Sequence, residues 1–427
     1  MAVDAAAFFE IYFRELNRRG IPFVILHSYG GLPERMTSDI DYAVRRTDLP
    51  KLLAVQRELA AKHGWMIASV MRAKLSALYT VLFRADDVSR FIQLDACADY
   101  VEGGCSLMSD VELMEGRRPF LFFFAPAPAV EFAYVLAKAL VKRKPIAAYL
   151  PRLRLLWEAD PDGSRRWFKK LMGDAVEPLD TWFSRSPGEW DRRLLPRLRA
   201  RKRFGLSEWI HELGRAARRI ARPAGLHIAI LGSDGAGKST LIAQLNPENL
   251  PCVRRRRLFH FRPHLLEANS GRAPVSDPHG SPPRSRVASV AKLLYYFFDQ
   301  WAGYLVAVWP AKIRNELVIF DRSFEDILID PRRYRLSCTE GLARLLKYLI
   351  PRADLTFVLD VEPALVHARK PELPLVEIER QRAAFQQLAK TDRRHILVRA
   401  DEPAEEVARN VIREMIAWLA AREQRRN

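Results

Sequence analysis

Leu231-Gly232-Ser233-Asp234-Gly235-Ala236-Gly237-Lys238-Ser239-Thr240 is the stretch on which the reading of this chain turns. It fits Gly-x4-Gly-Lys-Ser/Thr, the phosphate-binding loop pattern. Leu226-His227-Ile228-Ala229-Ile230, just before it, is a short apolar run of strand type. Leu241-Ile242-Ala243-Gln244-Leu245, just after it, reads as a first turn of helix. Glycines let the backbone curl so that successive N–H groups point inward at phosphate oxygens. The helix that follows adds the positive end of its dipole. Gly232, Ser233, Asp234, Gly235, Ala236, Gly237, Lys238, Ser239 and Thr240 are therefore the candidate phosphate-binding residues. Lys238 is expected to reach the outer phosphates and Ser239 to hold Mg²⁺.

Working outward, a chain of 427 residues, 49% of them hydrophobic, is long enough for two or three domains, each with its own core. Cys97, Cys105, Cys252 and Cys338 form neither a CxxC pair nor a zinc spacing, which points to reduced thiols of a cytoplasmic protein. No signal peptide is evident at Met1-Ala2-Val3-Asp4. The most apolar stretches, 119–141 and 293–309, are broken by prolines or by Asp299 and Gln300, so no membrane span is expected. The net charge of +18 is read either as the footprint of a polyanionic partner (nucleic acid, an anionic membrane surface or a phosphorylated substrate) or as a solvated arginine-rich surface. Basic residues crowd 138–222, and Arg254-Arg255-Arg256-Arg257 is a local block. No nucleic-acid signature accompanies that charge, so a nucleic-acid partner is not favoured.

The chain before the loop opens with helical spacing at Phe8, Phe9, Tyr12, Phe13 and Leu16. Strand-like runs follow at 23–26, 38–44, 78–83 and 91–94, with a well-marked helix at 50–62. In an extended chain Asp39 and Asp41 point to the same side, and the last run delivers Asp95. Two carboxylates at i, i+2 on one strand and a third on a later strand make an oxygen-rich site suited to a hard cation. From residue 126 the pattern turns helical, and the arginine-dense 192–224 reads as a linker. Beyond the loop, 251–261 reads as a strand and 267–285, rich in Pro, Gly and Ser, as a loop over the site. A long helix at 287–309 is expected to stop at Pro310. Strands at 316–322, 355–360 and 395–398 alternate with helices at 375–389 and 404–419, which implies a parallel sheet covered on both faces.

Three resemblances follow from these residues. The segment 23–95, with its strand, Asp-x-Asp strand and later lone Asp, resembles a nucleotidyltransferase fold; the likeness implies Asp39, Asp41 and Asp95 as metal ligands. The usual Gly-Ser after the first strand is here His27-Ser28. Residues 225–421 resemble thymidylate kinase in the loop itself, in Asp321-Arg322 at a strand end, in Leu359-Asp360-Val361 followed by Arg369, and in Glu377, Arg380 and Phe385. That family phosphorylates nucleoside monophosphates with ATP and Mg²⁺. The resemblance implies that Asp321 stands near the Mg²⁺ held by Ser239. Arg322 would grip the acceptor's anionic group, and Asp234 would meet an acceptor hydroxyl. Gly235 stands where some members carry an arginine, so the charge that stabilises the moving phosphoryl group falls to Arg369, Lys370 or Arg380, with Arg332-Arg333 as a second option. The family's thymine-reading arginine corresponds to about Gln300, and its Arg-Glu-Pro-Gly segment is reduced to Arg262-Pro263-His264, so the acceptor pocket reads as rebuilt. The whole arrangement also resembles two-domain proteins of bacterial polysaccharide gene clusters, through Gly31-Leu32-Pro33, Asp330-Pro331-Arg332-Arg333-Tyr334 and Arg369-Lys370-Pro371-Glu372-Leu373.

The expected fold is α/β: an N-terminal α+β nucleotidyltransferase-like domain over 1–125, a helical subdomain and basic linker over 126–224, and a P-loop parallel-sheet domain over 225–427. The expected activity is an ATP-dependent phosphotransferase acting on a small nucleotide, sugar or sugar-phosphate acceptor, with room for a metal-dependent nucleotidyl transfer in the front half and for a homodimer. The alternative is an ATP-switched nucleic-acid-binding or assembly protein with a non-catalytic front domain.

Overall fold

A computed structural model describes residues 4–36, 38–72, 76–102, 105–142, 145–173, 178–199, 206–264 and 282–426. It divides into two compact units, one of residues 1–217 with 419–427, the other of residues 218–418.

In the first unit, α1 (Ala5–Arg18) is capped by the Asp4 side chain, which accepts from the Ala7 N–H. Phe8, Phe9, Tyr12, Phe13 and Leu16 of this helix are all fully buried, each contributing roughly 1.5–3 kcal/mol of apolar transfer. The sheet comprises β1 (Phe23–Ile25), β2 (Ile40–Val44), β3 (Trp65–Met71), β4 (Ala77–Arg84) and β5 (Phe91–Cys97), in spatial order β1-β2-β5-β4-β3. Only β2 and β5 run parallel; the other neighbours are antiparallel. That parallel pair sets Asp41 directly against Asp95. The helix α2 (Leu52–His63) ends where Gly64 adopts the left-handed conformation. The sequence reading passed over β3, which starts immediately after this cap with no loop to announce it. Then come α3 (Pro128–Val141), α4 (Leu150–Ala159) and α5 (Pro161–Met172); in α3 every residue from Ala129 to Leu140 is buried.

The arginine-dense stretch read as a linker is largely helical: α6 (Pro187–Arg199) and α7 (Leu206–Ala221) occupy it. Trp190, Leu194 and Leu198 recur at intervals of four and are completely buried. Apolar spacing overrides composition there.

The second unit is built on β6 (Leu226–Leu231), β7 (Arg255–His260), β8 (Glu316–Asp321), β9 (Leu355–Asp360) and β10 (His395–Arg399), in spatial order β7-β8-β6-β9-β10. All four pairings are parallel, as the strand–helix alternation requires. All six residues of β6 are buried, which means both of its faces are covered. Its helices include α8 (Lys238–Gln244), α9 (Arg286–Gly303), α10 (Pro363–Arg369), α11 (Leu375–Ala389) and α12 (Ala404–Arg425), whose residues from 419 onward are assigned to the first unit.

Pro310 does not stop the long helix. After α9 the backbone widens into a π-turn over Tyr304–Val308 and resumes as Trp309–Ile313, with Pro310 in the first turn of the new segment. Proline is tolerated there because its missing N–H has no intrahelical acceptor to satisfy. The expected loop at 267–285 lies outside the described residues except for 282–285. Among the described residues, no helix is long and apolar enough to cross a membrane.

Candidate functional site

The central strand β6 feeds the glycine-rich loop, and the loop feeds α8. Parallel pairing sets Ile230 of β6 beside Asp321 at the end of β8, and the Arg322 N–H donates to the Ile230 carbonyl at 3.0 Å. Two adjacent strand ends thus deliver the loop and the Asp-Arg pair to one place.

The glycines serve shape. Gly232, Gly235 and Gly237 have φ of 150°, 90° and 90°, values from which a Cβ is sterically discouraged. At Gly235 an added Cβ would also sit 3.1 Å from the Val366 carbonyl oxygen and 3.3 Å from the Lys370 Cβ. The loop therefore passes close to α10 and the residue after it, and a side chain at 235 would have to strain the backbone and push the Val366 carbonyl or Lys370 aside by a few tenths of an ångström.

Lys238 is buried and folded back over the loop. Its Nζ donates to the Gly232 and Ser233 carbonyls, each at 2.8 Å, and lies 3.7 Å from Asp234 Oδ1. Burial, reinforced by the Arg322 guanidinium, pushes its ammonium down to about 8, against the pull of Asp234.

Arg322 is the hub of the charged cluster. It is a non-glycine residue held at φ 75°, a conformation that costs of order 1–3 kcal/mol and persists only when surroundings enforce it. Its Nη1 donates to Asp326 Oδ2 at 2.8 Å, and its Nη2 bonds Asp234. Asp234 also receives Arg333. Burial alone would raise the Asp234 carboxyl; Arg322, Lys238 and Arg333 outweigh it and hold the group below the usual carboxylate range. Burial works against the Arg322 cation, yet Asp326 and Asp234 carry it above its ordinary value.

Asp321 stands beside this cluster. Its Oδ2 lies 3.2 Å from His260 Nδ1, and its buried Oδ1 has no hydrogen-bond partner. Burial would raise its carboxyl, but the His260 hydrogen bond and Lys238 bring it below its ordinary value. An anionic, half-satisfied carboxylate near the exposed Ser239 hydroxyl is a donor set that fits Mg²⁺.

The cleft these residues line has a volume of ≈ 480 Å³. Gly235, Lys238, Ser239, Thr240, Asp321, Arg322, Arg333, Arg369 and Lys370 all face it. Arg380 does not line it; its guanidinium is held by Glu377 and the Ile329 carbonyl. Of the cations expected to replace an arginine at 235, Arg369, Lys370 and Arg333 line the cleft. His260 lines it too and was missed, because its strand was expected to point only toward Arg262-Pro263-His264. Asp326 was missed as well, although its spacing of four from Arg322 was a usable signal.

The segment Asp330-Pro331-Arg332-Arg333-Tyr334 now has a physical role. Asp330 Oδ1 accepts from the Arg333 N–H at 3.2 Å, closing a turn. That turn sends Arg333 to Asp234 and the Tyr334 hydroxyl to Asp326 Oδ2 at 2.8 Å. On α9, the Gln300 side-chain amide donates to the Phe261 carbonyl at 2.7 Å, and Asp299 pairs with Arg262 at 3.0 Å. Both positions are engaged with the chain itself.

In the first unit, carboxylate oxygens of Asp39, Asp41 and Asp95 lie within 4.8 Å of one another. Asp41 Oδ2 is 2.9 Å from His27 Nε2 and 2.8 Å from Lys138 Nζ. Burial pushes the Asp41 carboxyl up, but the His27 hydrogen bond and the Lys138 ammonium win and hold it below the carboxylate range. Lys138 is 97 residues away in sequence, so nothing local could have pointed to it. Three hard oxygen donors this close fit a divalent cation.

No protein-family model matches the chain. A probable thymidylate kinase of Pyrobaculum aerophilum is 28% identical over 144 residues, 33% of this chain and 68% of that protein. Among solved structures, thymidylate kinase from Ehrlichia chaffeensis aligns at 19% identity with a TM-score of 0.30, covering 45% of this chain and 100% of that one. The chain thus has a weak thymidylate kinase-like similarity over about a third of its length.

Proposed function

We propose that the second unit is an ATP- and Mg²⁺-dependent kinase whose acceptor is a small nucleotide, sugar or sugar phosphate. The observation that carries this reading is the convergence of Lys238, Asp321, Arg322 and Arg369 on one cleft at the C-terminal ends of β6 and β8. In this reading Lys238 leaves the loop carbonyls for the outer phosphates of ATP. Ser239 and Asp321 would hold a Mg²⁺, which would supply positive charge to the phosphates when bound. The N–H groups of 232–240 cradle the remainder. Arg369, with Arg333, supplies the cation that Gly235 cannot. The Arg322–Asp234 pair faces the acceptor, the guanidinium toward an anionic group and the carboxylate toward a hydroxyl.

Thymidylate is a poor fit as acceptor. Gln300 stands where an arginine is expected to read thymine, and its amide is already bonded to the Phe261 carbonyl. A sugar or sugar phosphate suits both this replacement and the likeness to polysaccharide-cluster proteins. A screen of nucleoside monophosphates, sugars and sugar phosphates for ADP release tests the reading. One class stimulating ADP release above the ATP-only background supports it; thymidylate as the best acceptor overturns the acceptor assignment.

In the first unit, Asp39, Asp41 and Asp95 are proposed to hold a Mg²⁺ for nucleotidyl transfer. Replacing Asp39 and Asp41 together by asparagine is then expected to abolish Mn²⁺ binding to this unit, read by paramagnetic broadening. Unchanged broadening would make the cluster a structural feature. A homodimer is part of the same reading; Val287, Val290, Leu294, Phe298, Trp301 and Leu305 form an exposed apolar stripe along α9 and the π-turn after it, to which a second copy could pack.

A further inference from the structure

Among the described residues, the helix α7 carries a row of exposed apolar side chains. Leu206, Trp209, Ile210, Leu213 and Ile220 are 80%, 54%, 60%, 66% and 52% exposed. They fall at i, i+3, i+4, i+7 and i+14, one narrow stripe of an α-helix. Isolated exposed apolar residues are ordinary, but a contiguous row that includes a tryptophan marks an interaction surface. The remaining circumference is polar, and from Leu206 to Arg222 four arginines (Arg215, Arg218, Arg219, Arg222) oppose two glutamates (Glu208, Glu212). Arg218 and Arg222 are exposed at the C-terminal end.

We infer that α7 docks on an anionic lipid surface, lying in the plane of the interface with its tryptophan and aliphatic side chains in the headgroup–acyl boundary. A strongly amphipathic helix with Trp and Leu on one face and arginines on the other has the pattern of an interfacial helix rather than a spanning one. Charge selects the occupant. With four arginines against two glutamates from 206 to 222, a second α7 laid on this helix meets like charge locally, whereas an anionic surface attracts it. Tryptophan, with an apolar body and an N–H donor, suits that boundary. The basic middle of the chain, which the cleft chemistry leaves unused, thereby gains a role: it holds the protein where an acceptor or product associated with a membrane would be met.

The test is cosedimentation of the full chain with phosphatidylcholine vesicles containing phosphatidylglycerol, beside vesicles of phosphatidylcholine alone. Binding to the anionic vesicles only, weakened by added salt, is the expected result. Trp209→Glu with Leu213→Glu is expected to weaken it at least tenfold, while Leu213→Met retains it. Arg218→Gln with Arg222→Gln is expected to weaken it by about fivefold per arginine. All these side chains are exposed, so thermal melting and ADP release should match wild type. Absence of pelleting with anionic vesicles overturns the inference, as does equal pelleting of the double-glutamate variant. Light scattering showing a dimer that this variant converts to monomer assigns the face to a second copy instead. Loss of oligonucleotide binding in the same variant, with vesicle binding unchanged, assigns it to nucleic acid.

Discussion

Lys238→Ala is expected to lower phosphoryl transfer by roughly 10²–10³-fold, the usual cost of removing one preorganised charged or hydrogen-bonding group from a transition state. The expectation rests on where the ammonium sits. It is buried, held by the carbonyls of Gly232 and Ser233, and pushed down to about 8. A cation kept in so dry a place is short of negative charge, and a polyphosphate supplies it. Binding should therefore restore the ammonium's affinity for its proton, giving proton uptake on ATP binding when the pH stands between about 8 and the unperturbed lysine value of about 10.4. The lowered pKa of Lys238 also makes stability rise with pH above about 8. The folded state holds this proton less tightly than the unfolded one, so the group's unfavourable contribution is fully present below pH 8. It is relieved as pH rises from there toward the unfolded value.

Arg322→Ala is expected to destabilise the second unit by about 3–5 kcal/mol, the range for removing one member of a buried charged cluster. The guanidinium satisfies two carboxylates at once, and Asp326 is buried to within 1% of its surface. Truncation leaves Asp326 with the Tyr334 hydroxyl alone on Oδ2 and nothing on Oδ1. Arg322→Lys preserves the charge but not the fork, so it should recover part of the loss. Acid titration adds a second readout. Asp234 has a depressed carboxyl pKa, so its stabilisation is present above the unfolded value of about 3.9 and fades as pH falls through the folded one. Without Arg322 that acid slope should flatten. Urea unfolding of the three proteins at neutral and acidic pH measures both effects.

The parts of the fold that rest on local pattern were legible in advance. Alternating apolar strands and helices around Gly232–Thr240 sufficed for a parallel sheet, because β6, β8 and β9 are continuous apolar runs with a charged residue closing two of them. Where one strong compositional signal masked a weaker periodic one, the reading failed. Arginines hid α6 and α7, although Trp190, Leu194 and Leu198 keep helical spacing. Pro310, where the sequence predicts a stop, follows a π-turn through which the helix continues, a backbone adjustment with no single-residue signature.

Within the candidate site the division is between near and far. The glycine positions and Lys238 follow from the motif, and the Asp321–Arg322 pair from its strand end. The contacts that set their electrostatics are long-range: Arg333 reaches Asp234 across 99 residues and His260 reaches Asp321 across 61. Those distances are properties of strand order β7-β8-β6, which no window of sequence contains. Gly235 shows the same limit from the other side. The residues that crowd it, Val366 and Lys370, lie more than a hundred positions later.

The most direct measurement is calorimetric titration of MgATP into the full chain and into Lys238→Ala under the same conditions. The account predicts one site on the wild-type protein, with proton uptake near pH 9 read from the buffer dependence of the heat, and a large loss of affinity in the variant. Equal affinity in both proteins, or no heat in either, would contradict it.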